Sequence, residues 1–240
     1  MSTPAWIPLE GTANARDIGG LPLVGGGVTA SKVLLRSDNL QDLTPGDIAV
    51  LEALGLGAVV DLRTPQETAV EGPTALAHLP HTRASLVADP ADGVLPDRSE
   101  ERQRDFYIDY LDDRPESIVA ALRTIAQGPG AVVVHCAAGK DRTGVTVALA
   151  LEVAGVERAA IIADYLATTE RIDAIIARLT ASPTYGPEIE GTPRDRHLPR
   201  ESSLRAVLDW LDDQGGTARW LREHGFGDEE QAALRARLRG

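Results

Sequence analysis

The chain has 240 residues, of which 43% are hydrophobic and 25% are charged, which is ordinary for a globular protein. This length can bury one sizeable core, so we expect a single domain over residues 1–240. The formal net charge of −12 disfavours nucleic acid and anionic membranes as partners. Cys136 is the only cysteine, which excludes an intramolecular disulfide and is typical of a reducing compartment.

The first quarter of the chain predicts short strands and one helix. Residues 21–24 and 33–35 flank three glycines and predict a hairpin. Pro45 after Thr44 begins a helix that Gly55 ends, and residues 58–62 form a buried strand. After this strand, the sequence predicts that helices and strands alternate.

Thr64 and Glu67 form a capping box with Pro65 at the first helical position, so a short helix follows the strand. For these two side chains the sequence indicates capping and no chemistry. Residues 84–104 are rich in Asp, Pro and Gly and predict a mobile loop.

The middle of the chain predicts two helices and then a strand, in the order 106–111, 118–125 and 131–134. An apolar run over 145–153 predicts a buried helix that ends near Gly155. Further helices are predicted over 156–166 and 172–179. Four prolines exclude a continuous helix over 182–200, and three short helices follow from Ser203. Strands that alternate with helices predict an α/β fold with a central, mostly parallel sheet flanked by helices.

The most informative segment runs from His135 to Gly144 and reads HCAAGKDRTG. It places Cys136 six positions before Arg142, in a turn between the predicted strand and the buried helix. Successive backbone N–H groups of such a turn converge on one point, to which the helix N-terminus adds partial positive charge. An oxyanion would bind there without a metal or other cofactor, and the same field stabilises a thiolate at Cys136.

Each residue of this loop is assigned a separate role. Cys136 attacks phosphorus and carries a phosphocysteine intermediate, while Arg142 grips two phosphate oxygens. Thr143 donates to the departing sulfur. The expected phosphate-binding segment comprises Ala137, Ala138, Gly139, Lys140, Asp141 and Arg142. The competing interpretation is an inert buried cysteine in a tight turn, which requires neither Arg142 nor the Lys-Asp pair.

The loop resembles that of the atypical bacterial phosphatases similar to mycobacterial protein tyrosine phosphatase B. Other segments share the resemblance over nearly the whole chain: NARDIGG at 14–20, LRSD at 35–38, VDLR at 60–63 with Glu67, and ADYL at 163–166. Ala15 departs from the family's usual aromatic residue. The resemblance implies a tyrosine-phosphatase-like fold whose helical C-terminal half includes a lid at about residues 165–200. The alternative for these helices is that they only pad the sheet.

The general acid is open between three aspartates. Asp141 lies in the loop itself and is the preferred candidate. Asp89 lies in the predicted mobile loop and resembles the movable acid of ordinary tyrosine phosphatases, and Asp109 lies on a predicted helix. For Asp89 and Asp109 the simpler interpretation is a solvated surface carboxylate.

Three further residues, His135, Asp61 and Arg63, are expected to support the loop. Arg63 belongs either to a cationic cluster at the site or to a pair with Glu67. Lys140 is expected at the rim, where an ammonium group contacts extra phosphates, or in a salt bridge to Asp17 or Asp61.

The predicted substrates are phosphotyrosine proteins, with phosphoserine, phosphothreonine and phosphoinositides as further candidates. A pseudophosphatase that binds phosphoproteins and a rhodanese-type sulfurtransferase are the alternatives. The first would lack the nucleophile Cys136, and the second would not require Arg142 at this spacing. The oligomeric state is left open.

Localisation is expected to be cytoplasmic, because the first twenty residues show no secretory signal and no run approaches the roughly 20 apolar residues of a membrane span. The family resemblance also leaves export without a cleaved signal open.

Overall fold

A computed structural model of the chain describes residues 3–87 and 100–240. Six strands in this part form one sheet in the order β1-β2-β3-β6-β4-β5. The pairs β3–β6, β6–β4 and β4–β5 are parallel, whereas β1–β2 and β2–β3 are antiparallel. The strands span Ala5–Trp6, Arg16–Asp17, Leu34–Ser37, Leu56–Asp61, His81–Arg83 and Ala131–His135. The predicted α/β fold with a mostly parallel sheet is confirmed.

Helices flank this sheet on both faces. The helices α1 to α5 span Pro45–Ala53, Pro65–Glu71, Glu100–Asp112, Pro115–Gln127 and Asp141–Ala154. The helices α6 to α11 span Arg158–Ala167, Ile172–Ala181, Gly186–Ile189, Glu201–Asp213, Thr217–Glu223 and Asp228–Arg239. Short 3-10 turns lie at Thr168–Arg171 and Arg194–His197. No helix of the described residues is long and apolar enough to span a membrane.

The central strand β6 is buried on both faces. Val132 and Val134 pack into the larger core with α4, α5, α9 and α11, while Ala131 and Val133 pack into a smaller core with α1. This division follows from the strand geometry, because successive side chains point to opposite faces. Continuous apolar runs are therefore the expected pattern for such a strand. The last residue of β6 is His135, so the loop beginning at Cys136 leaves the carboxyl end of the sheet.

The structure corrects two of the predicted elements. Residues 21–24 do turn back at the three glycines, but Pro22 pairs with Val28 and not with residues 33–35. The segment Leu34–Ser37 instead joins the sheet as β3, between β2 and β6, because its apolar side chains are needed in the two cores. The predicted loop over 84–104 ends earlier than expected, since α3 begins at Glu100. Its central residues, 88–99, lie outside the described part of the chain.

The other predicted helix boundaries agree with the structure to within a few residues. Thr64 and Glu67 form the predicted capping box at the start of α2. Gly155 ends α5 in the left-handed conformation at φ +77°. Helix α5 begins at Asp141, four residues before the predicted start, because its first turn belongs to the HCAAGKDRTG loop.

Candidate active site

The loop from Cys136 to Lys140 connects β6 to α5 and passes close to β3. Gly139 is at φ +64°, a conformation that favours glycine. A Cβ atom there would lie 2.4 Å from the Ser37 carbonyl oxygen, so no larger residue fits without a backbone shift. Cys136 is 2% exposed and lies at the start of this loop. The sequence therefore fixes both the turn and the position of the sulfur.

Hydrogen bonds from neighbouring segments fix the direction of three carbonyl groups of the loop, which point toward those segments. The Asn14 amide donates to the carbonyls of Ala138 and Gly139, both at 3.0 Å. The Asn39 backbone N–H donates to the Ala137 carbonyl at 3.0 Å. Within a trans peptide unit the C=O and N–H point in opposite directions. The N–H groups that follow these three carbonyls consequently face the other side, where an oxyanion can accept from them.

A buried ion cluster lies behind the loop. Asp164 accepts from Arg16 at 2.8 Å and from Arg36 at 2.6 Å, and all three side chains are almost fully buried. Arg36 also donates to the Gly139 carbonyl at 2.8 Å, and Arg16 donates to Asn14 Oδ1 at 2.5 Å. Burial alone would raise the pKa of Asp164, but the two guanidinium groups hold it below its ordinary value. The cluster thus connects the loop to β2, β3 and α6.

Arg142 is held by Glu67 of α2. Its Nη1 and Nη2 donate to the two Glu67 oxygens at 2.7 and 2.8 Å, and Nη1 also reaches the Leu62 carbonyl at 3.3 Å. Burial would raise the pKa of Glu67, but Arg142 lowers it to about 2. Glu67 also accepts from the Thr64 backbone N–H at 2.6 Å. The capping role was predicted, whereas the contact with Arg142 was not.

Asp141 lies in the first turn of α5 and accepts a very short hydrogen bond from the Tyr107 hydroxyl. The Tyr107 and Tyr165 hydroxyls are 2.8 Å apart. The Asp141 side chain keeps 27% of its surface exposed, although Tyr107 is buried. Burial followed by the charge of Asp141 raises the pKa of Tyr107 well above its ordinary value, so this hydroxyl remains a donor. The arrangement orients a carboxylate at the loop.

Lys140 does not lie at the rim as expected. It is 5% exposed, and its Nζ donates to the His197 carbonyl at 2.6 Å. Asp141 Oδ1 lies 3.6 Å away, whereas the predicted alternatives were salt bridges to Asp17 or Asp61. The long Lys140 side chain points inward because the carbonyl of His197, in the second 3-10 turn, is a buried acceptor. A role of Lys140 toward extra phosphates therefore loses its geometric support.

The three residues predicted to support the loop lie together beneath it. The Arg63 guanidinium binds both carboxylate oxygens of Asp61, at 2.9 and 2.7 Å, and it donates to Asn39 at 2.9 Å. Arg63 thus pairs with Asp61 and not with Glu67. His135 is fully buried, its Nδ1 lies 3.4 Å from the Cys136 carbonyl oxygen, and its Nε2 lies 3.7 Å from Asp61.

Three further residues were predicted as candidates for a catalytic role: Thr143, Asp109 and Asp89. The Thr143 hydroxyl is buried and has no hydrogen-bond partner in the described residues, so a bond to the Cys136 sulfur is not seen. Asp109 lies exposed on α3. Asp89 lies outside the described residues, so its role as an acid stays a prediction. Of the three acid candidates, only Asp141 is seen at the loop.

The segment of α7 and α8 lies over the loop. Tyr185 and Ile189 are buried against Ala137, with Ile176 and Leu179 packed beside them. A cavity of about 250 Å³ opens next to this cluster. It is lined by Asp38, Asn39, Asp42, Glu71, Ala137, Arg178, Leu179, Ala181, Ser182 and Pro183.

Sequence reasoning missed several residues that hold the loop. Asn14, Arg36 and Asp164 lie in segments that carried the family resemblance, but no chemical role was assigned to them. Glu67 was assigned to capping, with a pair to Arg63 as an alternative, but not to Arg142. The available signal was the presence of three charged residues, Arg16, Arg36 and Asp164, in segments that otherwise supply core side chains.

Comparison with known proteins identifies the family of the chain. The sequence model of the tyrosine phosphatase family matches residues 7–240. The fold and the loop therefore define a member of a known class, and the chain belongs to the tyrosine phosphatase family.

Three relatives show the extent of this similarity. A Cupriavidus necator protein with the provisional name tyrosine-protein phosphatase is 36% identical over 69% of this chain. A tyrosine-protein phosphatase of Nostoc commune is 31% identical over 85%, and the triple specificity protein phosphatase PtpB of Mycobacterium tuberculosis is 30% identical over 61%. The matches cover 63%, 73% and 64% of the relatives' own lengths, which is less than two thirds for the first and third.

Proposed function

We propose that this chain hydrolyses phosphomonoesters, phosphotyrosine in proteins above all, through a covalent intermediate on Cys136. The observation that supports the proposal is that hydrogen bonds hold three carbonyls of the loop that follows Cys136, while Glu67 holds Arg142 just after that loop. Fixed donors of this kind stabilise the charge that develops on a transferring phosphoryl group. Membership of the tyrosine phosphatase family gives independent support.

The reaction proceeds in two steps, formation and hydrolysis of a phosphocysteine. The Cys136 thiolate attacks phosphorus, the bond from phosphorus to the ester oxygen breaks, and Asp141 gives that oxygen its proton. Water then attacks the phosphocysteine, Asp141 takes a proton from the water, and the Cys136 thiolate leaves with inorganic phosphate released. Arg142 binds two of the phosphoryl oxygens in both steps. No redox partner is needed.

The range of substrates is part of the proposal. The Mycobacterium tuberculosis relative is named a triple specificity phosphatase, which favours a test beyond phosphotyrosine. The buried position of Lys140 on the His197 carbonyl argues against a built-in contact to the extra phosphates of a phosphoinositide. We therefore expect turnover of phosphotyrosine peptides first, then phosphoserine and phosphothreonine peptides, and phosphatidylinositol monophosphates last.

Turnover assays on these substrates test the proposal. Cys136→Ser should abolish activity, because a serine hydroxyl stays protonated and is a poor nucleophile at neutral pH. Arg142→Lys should lower kcat by on the order of 10²–10⁴, since lysine cannot form the two-point contact. EDTA should leave the wild-type rate unchanged.

Two results would overturn this function. Activity that survives Cys136→Ser excludes the covalent intermediate. Tight binding of a phosphotyrosine peptide by the wild-type protein, without release of phosphate, would identify the chain as a pseudophosphatase.

A further inference from the structure

A row of three metal-binding side chains crosses the sheet below the loop. Asp61 of β4 is the register partner of His135 of β6, and His81 of β5 is the register partner of Val59, two residues before Asp61. Because alternate residues of a strand share a face, the three side chains lie on the same face of the sheet. One ligand atom from each lies within 4.8 Å of the other two.

The hydrogen bonding of His135 leaves one nitrogen lone pair in this cluster. A carbonyl oxygen can only accept, so the contact of Nδ1 with the Cys136 carbonyl at 3.4 Å places the ring proton on Nδ1. His135 is fully buried, and Nε2 has no hydrogen-bond partner in the described residues. Its bare lone pair therefore faces the Asp61 oxygen at 3.7 Å. Arg63 donates to this Asp61 oxygen through Nε at 2.9 Å and through its backbone N–H at 3.0 Å, so of the two facing acceptors only His135 Nε2 lacks a partner among the described residues.

His81 adds the second imidazole, and one of its ring nitrogens lies within 4.8 Å of the ligand atoms of Asp61 and His135. Two imidazoles and one carboxylate, with a fourth position left for water, form a donor set that Zn²⁺ and related transition metals accept. A metal-binding histidine commonly donates its other ring N–H to a carbonyl, and His135 does so.

We propose that Asp61, His81 and His135 form a binding site for a divalent transition metal of the zinc type. The metal would join β6, β4 and β5 below the loop. It is not part of the proposed phosphatase reaction, which uses Cys136 and Arg142. Arg63 also binds the Asp61 carboxylate, and its positive charge opposes the metal. The affinity is therefore expected to be lower than that of a zinc site whose carboxylate lacks a cationic partner.

Cobalt binding to the Cys136→Ser protein tests the site without interference from the thiolate. We expect visible d–d bands of nitrogen- and oxygen-bound Co²⁺, which Zn²⁺ then displaces, and a higher melting temperature with Zn²⁺ than without it. His81→Gln should weaken Co²⁺ binding at least about tenfold, because one ligand is lost. His78→Gln is the matched control, since His78 is an exposed histidine three residues away and outside the cluster.

NMR of the histidine ring nitrogens tests metal binding without any histidine substitution. Zn²⁺ should move the signals of His135 Nε2 and of the His81 ring nitrogens, and it should leave those of His78 unchanged. The proposal is overturned if Cys136→Ser protein gives no cobalt bands, if His81→Gln binds Co²⁺ as tightly as His78→Gln, or if Zn²⁺ leaves the His135 and His81 signals in place. A cobalt spectrum seen only when Cys136 is present would assign the metal to the thiolate.

Discussion

The guanidinium of Arg142 and the carboxylate of Glu67 meet end to end, with donor–acceptor distances of 2.7 and 2.8 Å. With the bond to the Leu62 carbonyl, these contacts use both hydrogens of Nη1 and one of Nη2. Among the described residues, neither the Nε hydrogen nor the second Nη2 hydrogen of Arg142 has an acceptor. These two form a side-on fork, which matches two oxygens of a phosphoryl group. Glu67 therefore orients Arg142 without occupying that fork.

Glu67→Gln should lower kcat by about tenfold or more, with a smaller change in KM. The amide is neutral and cannot accept at both ends, so Arg142 is no longer fixed for the transition state. Steady-state kinetics on a phosphotyrosine peptide measure the effect. Glu52→Gln, at an exposed position on α1, is the control. An unchanged kcat in Glu67→Gln would show that Arg142 is positioned by the loop alone.

The same ion pair predicts a dependence of stability on pH. The ordinary pKa of Glu67 is 4.5, and the folded protein holds it at about 2. Because the unfolded chain binds the proton more readily, the contribution is fully present above pH 4.5 and is lost as the pH falls toward about 2. The shift corresponds to at most about 3 kcal/mol of unfolding free energy.

Denaturant unfolding of wild type and Glu67→Gln at several pH values measures this contribution. The difference between the two proteins should be largest above pH 4.5 and should shrink on acidification. Glu52→Gln is the control for the loss of a carboxylate at an exposed position. A constant difference between wild type and Glu67→Gln at all pH values would contradict the assignment.

The sequence alone was enough to predict those elements that depend on neighbouring residues. The strand Ala131–His135, the capping box at Thr64 and the glycine stop at Gly155 each depend on neighbouring residues, and the structure confirms all three. The pairing of residues 21–24 was wrong because a glycine turn fixes where the chain reverses, but not how far the return strand extends. Core packing instead draws Leu34–Ser37 into the sheet.

The loop was predictable from spacing, but the supports that reach it from distant segments were not. Cys136 and Arg142 are six residues apart, whereas Asn14 reaches the loop from more than 120 residues away. Lys140 shows the same limit, since its acceptor, the His197 carbonyl, is 57 residues further along the chain. Contacts of this range depend on the register of the sheet and on the packing of α6 to α8. No local pattern in the sequence encodes them.

Asn14→Asp should weaken phosphate binding about tenfold and lower kcat. The new carboxylate has nearly the same shape but cannot donate to the carbonyls of Ala138 and Gly139, so acceptor faces acceptor and the loop shifts. Competitive inhibition by inorganic phosphate and the rate of Cys136 alkylation by iodoacetamide measure the effect.

Gln214→Glu is the control for this prediction, because it makes the same change from amide to carboxylate at an exposed position. If Asn14→Asp binds phosphate as tightly as Gln214→Glu does, the Asn14 amide does not hold the loop in its binding form.

Tyr185→Ala should make Cys136 easier to reach if α7 and α8 act as a lid. Tyr185 is 6% exposed and packs on Ala137 with Ile189, so removal of the ring weakens the apolar contact between this segment and the loop. We expect faster alkylation of Cys136 by iodoacetamide and a lower KM for bulky phosphopeptides. Tyr185→Phe keeps the ring and should show the wild-type alkylation rate. Equal alkylation rates in Tyr185→Ala and wild type would mean that these helices only pad the sheet.

Asp141→Asn should lower kcat for a phosphoserine peptide by about 10²–10⁴ but have a much smaller effect on 4-nitrophenyl phosphate. The reason is the basicity of the leaving group: nitrophenolate departs readily without a proton, whereas a serine alkoxide does not. Tyr107→Phe should give the same pattern in weaker form, because Tyr107 donates to the Asp141 carboxylate and orients it. The ratio of the two rates in each variant is the decisive measurement. If Asp89→Asn changes that ratio and Asp141→Asn leaves it unchanged, the proton comes from Asp89, and Asp141 only completes the first turn of α5.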